Sequence, residues 1–443
     1  MRAPSPLYGE PSEDDRVLLS IAPMMEVTDR HHRCFMRSMT KKTRLYTEML
    51  VDDTLHHQLA NVEDFIGFDP VEHPLAVQLG GNKPEYLGDA AALCEARGYD
   101  EINLNCGCPS PRVSSHEFGA RLMLNPELTR DLCHAMRRRV QSVPVTCKCR
   151  LGADRDATYE EFIHFVDTVA ACGVDHFIVH ARVCILDGLS TKANRSVPPL
   201  RYDWVKRAAV ERPQLRISLN GGVKTLAQSR ELLDWRGGDG GADAPRLESV
   251  MIGRAAWHTP WIFADADRAI FGGAAAAVPL TRRSVVAHYT AYIEQWSAAR
   301  GGSFAGPARV DAVAAPPAAP VDGVATQGDV APLGAPPAEQ GAEAERSGCP
   351  AGCPDYYRNA KQRRADDKGK MQLTRPLYNL FRNERCGASY RKHLVAQTSR
   401  KHRTDLNAVI AEALALLPDG LVDAPHPNAP PANAAAPVPP SDE

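Results

Sequence analysis

No stretch of this chain approaches the roughly 20 consecutive apolar residues that cross a bilayer, although 44% of its 443 residues are hydrophobic. A place in the membrane is therefore not expected. An apolar leader is missing too. The first sixteen residues set Arg2 and Arg16 against Glu10, Glu13, Asp14 and Asp15, a pattern unlike a secretory signal or an Arg-rich transit peptide. The cytoplasm is the expected compartment, and an organellar address would need a further targeting segment. The 12 cysteines are scattered through strand-like and helix-like stretches rather than spaced as a framework, so free thiols in a reducing compartment are expected. Cys147-x-Cys149 and Cys349-x-x-x-Cys353 lack a matching second pair, and no metal site is expected. Finally, no G-x-G-x-x-G follows the first candidate strand, which counts against a doubly wound dinucleotide-binding sheet.

What is present centres on the run Glu101-Ile102-Asn103-Leu104-Asn105-Cys106-Gly107-Cys108-Pro109-Ser110. Alternating Ile102 and Leu104 read as a buried strand that Gly107 and Pro109 stop abruptly. A cysteine then lies just past the carboxyl end of a strand, the edge where parallel α/β folds do their chemistry. A thiol there is either structural or, once its surroundings tune it, a proton donor near neutral pH.

Similar short apolar runs recur at Leu18–Pro23, Arg44–Met49, Leu75–Leu79, Pro144–Cys149, His176–His180, Leu215–Asn220 and Ser249–Gly253. Between them, Pro84–Arg97, Pro126–Val140, Tyr159–Cys172 and Leu226–Trp235 carry apolar residues at helical spacing, with Asn125-Pro126 resembling a cap followed by Pro at the first helical position. Eight strand-then-helix units predict an α/β fold, a (β/α)8 TIM barrel over 17–275, after an extension at 1–16. Residues 280–300 read as helix. Residues 301–354 are rich in Ala, Pro and Gly, with Phe304 their one aromatic residue, and are expected to be a disordered insertion. Helical periodicity returns over 355–418, which with 280–300 predicts a small all-α domain. Residues 424–443 read as a loose tail.

The charge balance of −2 hides an asymmetry: Tyr356–Thr404 holds 14 lysines and arginines against Asp366, Asp367 and Glu384. With Tyr356, Tyr357, Tyr378, Phe381 and Tyr390 interleaved, this reads as a footprint for nucleic acid rather than a solvated helix face.

Polar residues gather at the strand ends. They are Glu26 after the first strand, Glu48 on the second, Gln78 on the third, and Asn103, Asn105 and Cys108 at the fourth. Lys148 and Arg150 follow on the fifth, and His180 and Arg182 on the sixth. The last two strands end in Asn220-Gly221-Gly222 and Gly253-Arg254. Paired glycines expose backbone N–H groups, and the loops after strands seven and eight are where barrels often seat a phosphate. Lys148 would stabilise negative charge on a reduced ring and His180 would hydrogen-bond a ligand, which with Gln78 suggests a cofactor cradle.

Several stretches resemble the signature blocks of one family, the tRNA-dihydrouridine synthases. They are Ala22-Pro23-Met24-Met25-Glu26-Val27-Thr28-Asp29, Gln78-Leu79-Gly80-Gly81, Asn103 to Pro109, and Asn220-Gly221-Gly222. His180-Ala181-Arg182, the Gly188–Leu200 block and Met251-Ile252-Gly253-Arg254-x-Ala256 are similar to the A-type subfamily in particular. The resemblance runs through Leu18–Phe271 and resumes over Met371–Leu394. It implies an FMN enzyme that uses NADPH to reduce the 5,6 double bond of uridine at positions 20 and 20a of the tRNA D-loop. Hydride would pass from flavin N5 to uracil C6, and Cys108 would protonate C5. It further implies that Pro23, Met24, Met25, Gln78, Lys148 and His180 surround the flavin. Asn220, Gly221, Gly222, Gly253 and Arg254 would hold its phosphate, and Asn105, Lys192, Arg195 and Arg391 would contact tRNA. A monomer is expected.

Three positions depart from the family pattern. Ala388 stands where an arginine is expected three residues before Arg391, the 301–354 insertion is foreign to it, and Cys147 and Cys149 flank Lys148 where Val and Thr are usual. The two cysteines read as strand packing. Two other functions fit parts of the pattern: an FMN barrel acting on a free pyrimidine, and a non-catalytic tRNA-binding protein.

Overall fold

Eight parallel strands alternate with helices in the computed structural model, which describes residues 16–110, 117–238, 240–241, 244–272, 279–299, 368–400, 403–418 and 420–428. The strands are β1 (Leu19–Ile21), β2 (Leu45–Val51), β3 (Leu75–Gly80), β4 (Glu101–Cys106), β5 (Val145–Cys149), β6 (His176–His180), β7 (Arg216–Asn220) and β8 (Val250–Ile252). Each pairs with its sequence neighbour, and β8 also pairs with β1. The ring closes between β1 and β2, where the Ile21 N–H donates to the Arg44 carbonyl at 2.9 Å and the Arg44 N–H to the Leu19 carbonyl at 3.0 Å. The architecture is a (β/α)8 barrel, and every expected strand lies within a residue or two of the observed one.

Side chains alternate across each strand. Leu19, Leu75, Val77, Ile102, Leu104, Val145, Phe177, Ile217 and Val250 join the main apolar core that the helices cover. The intervening positions face the barrel interior, which is polar apart from a small cluster of Ala22, Tyr46, Ala76, Ile178 and Met251. Near the amino ends of the strands, Glu101 accepts hydrogen bonds from Arg44, Tyr46 and Thr146, and His176 Nε2 meets Ser218 at 2.7 Å.

Local sequence explains the helix boundaries. Asn125 caps Pro126–Arg139 by accepting the Leu128 N–H at 3.0 Å, Thr158 and Glu161 form a capping box at Tyr159–Ala170, and Gly98 ends Pro84–Arg97 at φ +98°.

Beyond the barrel, helices Arg282–Ala298, Gly387–Thr398 and Leu406–Leu414 and the 3₁₀ turn Arg375–Asn379 share the barrel's apolar core through Val285, Tyr289, Leu377, Phe381, Tyr390 and Leu394. Asn379 donates to the Trp257 carbonyl at 2.8 Å, so this helical region sits on helix Arg254–His258, directly after β8. Some of the basic run is spent internally. Lys370 is buried against the Arg400 and Arg403 carbonyls, and Arg403 pairs with Glu412.

The start of the expected tail is packed rather than loose: Pro425 bridges to Thr281 and the His426 ring lies 5.6 Å from Trp261. The rest of that tail, the expected insertion at 301–354 and nearly all of 1–16 fall outside the described residues.

Candidate active site

The carboxyl end of the barrel gathers most of the polar residues singled out above. Strand register sets Gln78 beside Asn103, Asn105 beside Lys148, and His180 beside Asn220. These positions are distant in sequence, and parallel pairing of adjacent strands makes them neighbours.

Asn105 organises the turn that carries Cys108. Its side-chain oxygen accepts the Gly107 and Cys108 N–H groups at 2.9 and 3.0 Å, while its amide donates to Gln78 at 2.8 Å. Gln78 in turn donates to Asn103, and Asn103 to Thr146, both at 2.8 Å. An irregularity in β2 between Tyr46 and Met49 lets the Thr47 hydroxyl take the Gln78 N–H.

Alternation separates the cysteines. Cys106, Cys147 and Cys149 face outward into the core and are fully buried. Burial pushes the Cys106 thiol up, and neighbouring thiols together with burial push up those of Cys147 and Cys149. Cys108, half-buried, is the sulfur of this group at the barrel mouth.

Lys148 reaches Asn220 at 3.3 Å, and Asn220 is held by the Met251 carbonyl at 2.8 Å. Burial, then the charge of Arg150, push Lys148 down to about 8. His180 is held well below its ordinary value by burial and by Arg150, Lys148, Arg182 and Arg254, which makes it a neutral imidazole at pH 7. Beside it, Gly221 and Gly222 adopt φ +107° and +76°. A Cβ on Gly221 would stand 2.5 Å from His180 Cδ2, and one on Gly222 would stand 2.5 Å from Leu200. Glycine is thus required twice over, by conformation and by space.

Gly253 precedes helix Arg254–His258, and exposed Arg254 donates to the Arg195 carbonyl at 3.0 Å. Pro23, Met24 and Met25 follow β1, the strand beside β8; the turn is held by Met24 N–H to Thr28 at 3.0 Å, and Met25 is 57% exposed. Lys192 and Arg195 are exposed on the loop before helix Tyr202–Glu211, and Arg391 lies on the helical region, 3.3 Å from Asn379.

A family model described as Dihydrouridine synthase (Dus) matches residues 20–304, more than half of the sequence. This chain belongs to the dihydrouridine synthase family. Three relatives named tRNA-dihydrouridine(20/20a) synthase illustrate the similarity. The protein from Xanthomonas campestris pv. campestris is 47% identical over 258 residues, 58% of this chain and 73% of the relative. That from Pseudomonas syringae pv. tomato is 44% identical over 292 residues, 65% and 82%. That from a Synechocystis species is 44% identical over 253 residues, 57% and 72%.

For this member of the dihydrouridine synthase family, the structure adds residues that strand-end reading did not assign. Arg150, one residue past β5, is buried and bonded to three backbone carbonyls; its signal was parity, since Thr146, Lys148 and Arg150 fall on alternate positions. Arg182 has a buried Nε with no hydrogen-bond partner and lies near Arg254. Tyr202 bonds the Gly221 carbonyl at 2.5 Å, a contact that sequence spacing does not announce. Asn105, expected against tRNA, has both ends of its amide engaged within the protein. Among the described residues no helix is long and apolar enough to cross a membrane, and no group of three or more His, Cys, Asp or Glu side chains is placed to hold a metal.

Proposed function

We propose that this chain reduces uridine to 5,6-dihydrouridine at positions 20 and 20a of the tRNA D-loop, with FMN as cofactor and NADPH as reductant. The observation that carries the reading is the convergence of Cys108, Lys148 and His180 on one end of the barrel, beside a glycine seat. The seat suits a cofactor bearing a phosphate. Gly221 and Gly222 leave room that any Cβ would fill, and Arg182 and Arg254 bring positive charge that no carboxylate neutralises among the described residues. Bound there, FMN would supply the hydride for uracil C6, which no side chain can provide.

The protein's own groups do the rest. Asn220, Gly221, Gly222, Gly253 and Arg254 hold the phosphate. Pro23, Met24, Met25 and Gln78 border the ring, Lys148 sets a positive charge beside it, and neutral His180 offers a hydrogen bond. The target uridine must leave its stack to reach the barrel mouth. Lys192, Arg195 and Arg391 would grip the flanking phosphates. Cys108 then gives a proton to C5, completing the addition of two hydrogens across the bond. The acting unit on this reading is a monomer in the cytoplasm that needs no metal.

The test is mass spectrometry of D-loop fragments after unmodified tRNA is incubated with protein, FMN and NADPH, with Cys108→Ala in parallel. A gain of two hydrogens at uridine 20 or 20a is expected, falling by about 10²–10⁴-fold in the variant. No gain from a folded, FMN-loaded protein would remove tRNA as substrate and bring a free pyrimidine forward.

A further inference from the structure

Arg150 is 2% exposed, and its partners among the described residues are backbone carbonyls rather than a carboxylate. Nε donates to Gly107 at 2.9 Å, and one terminal nitrogen donates to Asn194 at 2.9 Å and to Val183 at 3.2 Å. Burying a cation without an anion is costly, and packing alone would be better served by an apolar side chain. The two nearer carbonyls belong to residues immediately before Cys108 and Arg195.

Each of those segments is also held from its other side. Asn105 takes the Gly107 and Cys108 N–H groups while Arg150 takes the Gly107 carbonyl, so the backbone leading into the thiol is fixed from both sides. Asn194 is fully buried, and its side chain bonds both the N–H and the carbonyl of Ile185, at 2.7 and 2.8 Å. The loop carrying Lys192 and Arg195 is therefore anchored at Asn194, and Arg150 ties that anchor to the cysteine turn.

We propose that Arg150 is a positioning residue that joins the Cys108 turn and the Lys192–Arg195 loop into one unit, so that the base is presented to the thiol at a set distance. This rests on Cys108 as the proton donor. Guanidinium is required because its planar fork serves separated acceptors simultaneously. A lysine in its place supplies charge but a single, mobile donor centre.

The experiment uses full-length Arg150→Lys and Arg150→Met, with Cys108→Ala alongside. FMN content and flavin bleaching by NADPH are expected to match the parent in Arg150→Lys, which keeps the positive charge beside Lys148 and His180. Dihydrouridine formation under saturating tRNA should fall about 100-fold in both Arg150 variants, the usual cost of misplacing a reacting group by about 1 Å, with KM for tRNA within about twofold. Hydrogen exchange of the FMN-free proteins should quicken in peptides containing Gly107–Cys108, Val183 and Asn194–Arg195 and not through the rest of the barrel.

Unchanged kcat in a folded Arg150→Lys overturns the proposal. So does a loss confined to KM, or exchange that quickens throughout the chain, since those results mark RNA contact or general packing. If Cys108→Ala itself turns over at the parental rate, the proton-donor reading fails. If Cys108→Ala is slow while both Arg150 variants are parental, only the role of Arg150 fails.

Discussion

The barrel interior holds two polar layers that behave in opposite ways. In the lower one, Glu101 accepts from Arg44, Tyr46 and Thr146, and His176, Ser218 and Ser249 bond in series at 2.7 Å. Burial works against the Glu101 charge, but Arg44 and the hydroxyls of Tyr46 and Thr146 hold its carboxyl below the ordinary range. Burial and Arg216 push His176 down to about 4, leaving it neutral. Every partner is internal. In the upper layer Lys148 has one long contact and His180 has no hydrogen bond to its ring among the described residues, while a buried Nε without a partner occurs in both layers, at Arg44 and at Arg182. The contrast teaches how one scaffold divides its labour. Polar groups satisfied by protein stabilise the barrel, and under the proposed function the groups left wanting are those a ligand would complete.

Breaking the lower layer should cost stability and spare the cofactor. Glu101→Ala strands Arg44 and two hydroxyls, an expected loss of about 3–5 kcal/mol in denaturant unfolding. The folded fraction should still bind FMN with parental affinity; a weakened FMN affinity there would show that the two layers are not separable.

Gly221→Ala attacks the upper layer instead. A side chain at φ +107°, 2.5 Å from His180, strains the seat by about 1–2 kcal/mol. Carried into the complex, that is about tenfold in Kd for FMN, measured by fluorescence titration. Parental binding would move the phosphate seat elsewhere.

A subtler separation comes from pH. Lys148 keeps its proton below about 8 and loses it above. Activity that needs this charge should show a limb of kcat/KM falling as pH rises through about 8. Lys148→Arg should shift that fall to higher pH, and Lys148→Met should abolish the limb at a lower plateau. The linked stability has its own sign: a lysine in the unfolded chain holds its proton to about 10.5, so stability should rise between these two pH values. A limb that persists in Lys148→Met would assign it to another group.

Much of this was legible before any contact was known. Eight β-strands and the helices between them follow from short apolar runs and helical spacing, and caps such as Asn125-Pro126 mark where helices begin. The strand-end residues Gln78, Asn105, Lys148, His180 and Asn220 stand out as polar exceptions in apolar runs. Harder to read was the packed state of Pro425 and His426, because a Pro- and Ala-rich composition says nothing about a single bridge to Thr281.

Taken alone, the sequence determined the order and type of the elements, the family and the candidate residues, because periodicity, turn chemistry and motif spacing are local properties. Tertiary structure alone decided which face of each strand turns inward, and so why Cys106 is core while Cys108 stands at the mouth. It also decided that Arg150 spends its donors on Gly107 and Asn194, 43 and 44 positions away, and that the helical region rests on helix Arg254–His258 through Asn379, 122 positions from its partner. Pairing adjacent strands and packing the helical region on the barrel bring distant backbone carbonyls within hydrogen-bond reach, and carbonyls carry no side-chain signature that spacing along a chain can reveal.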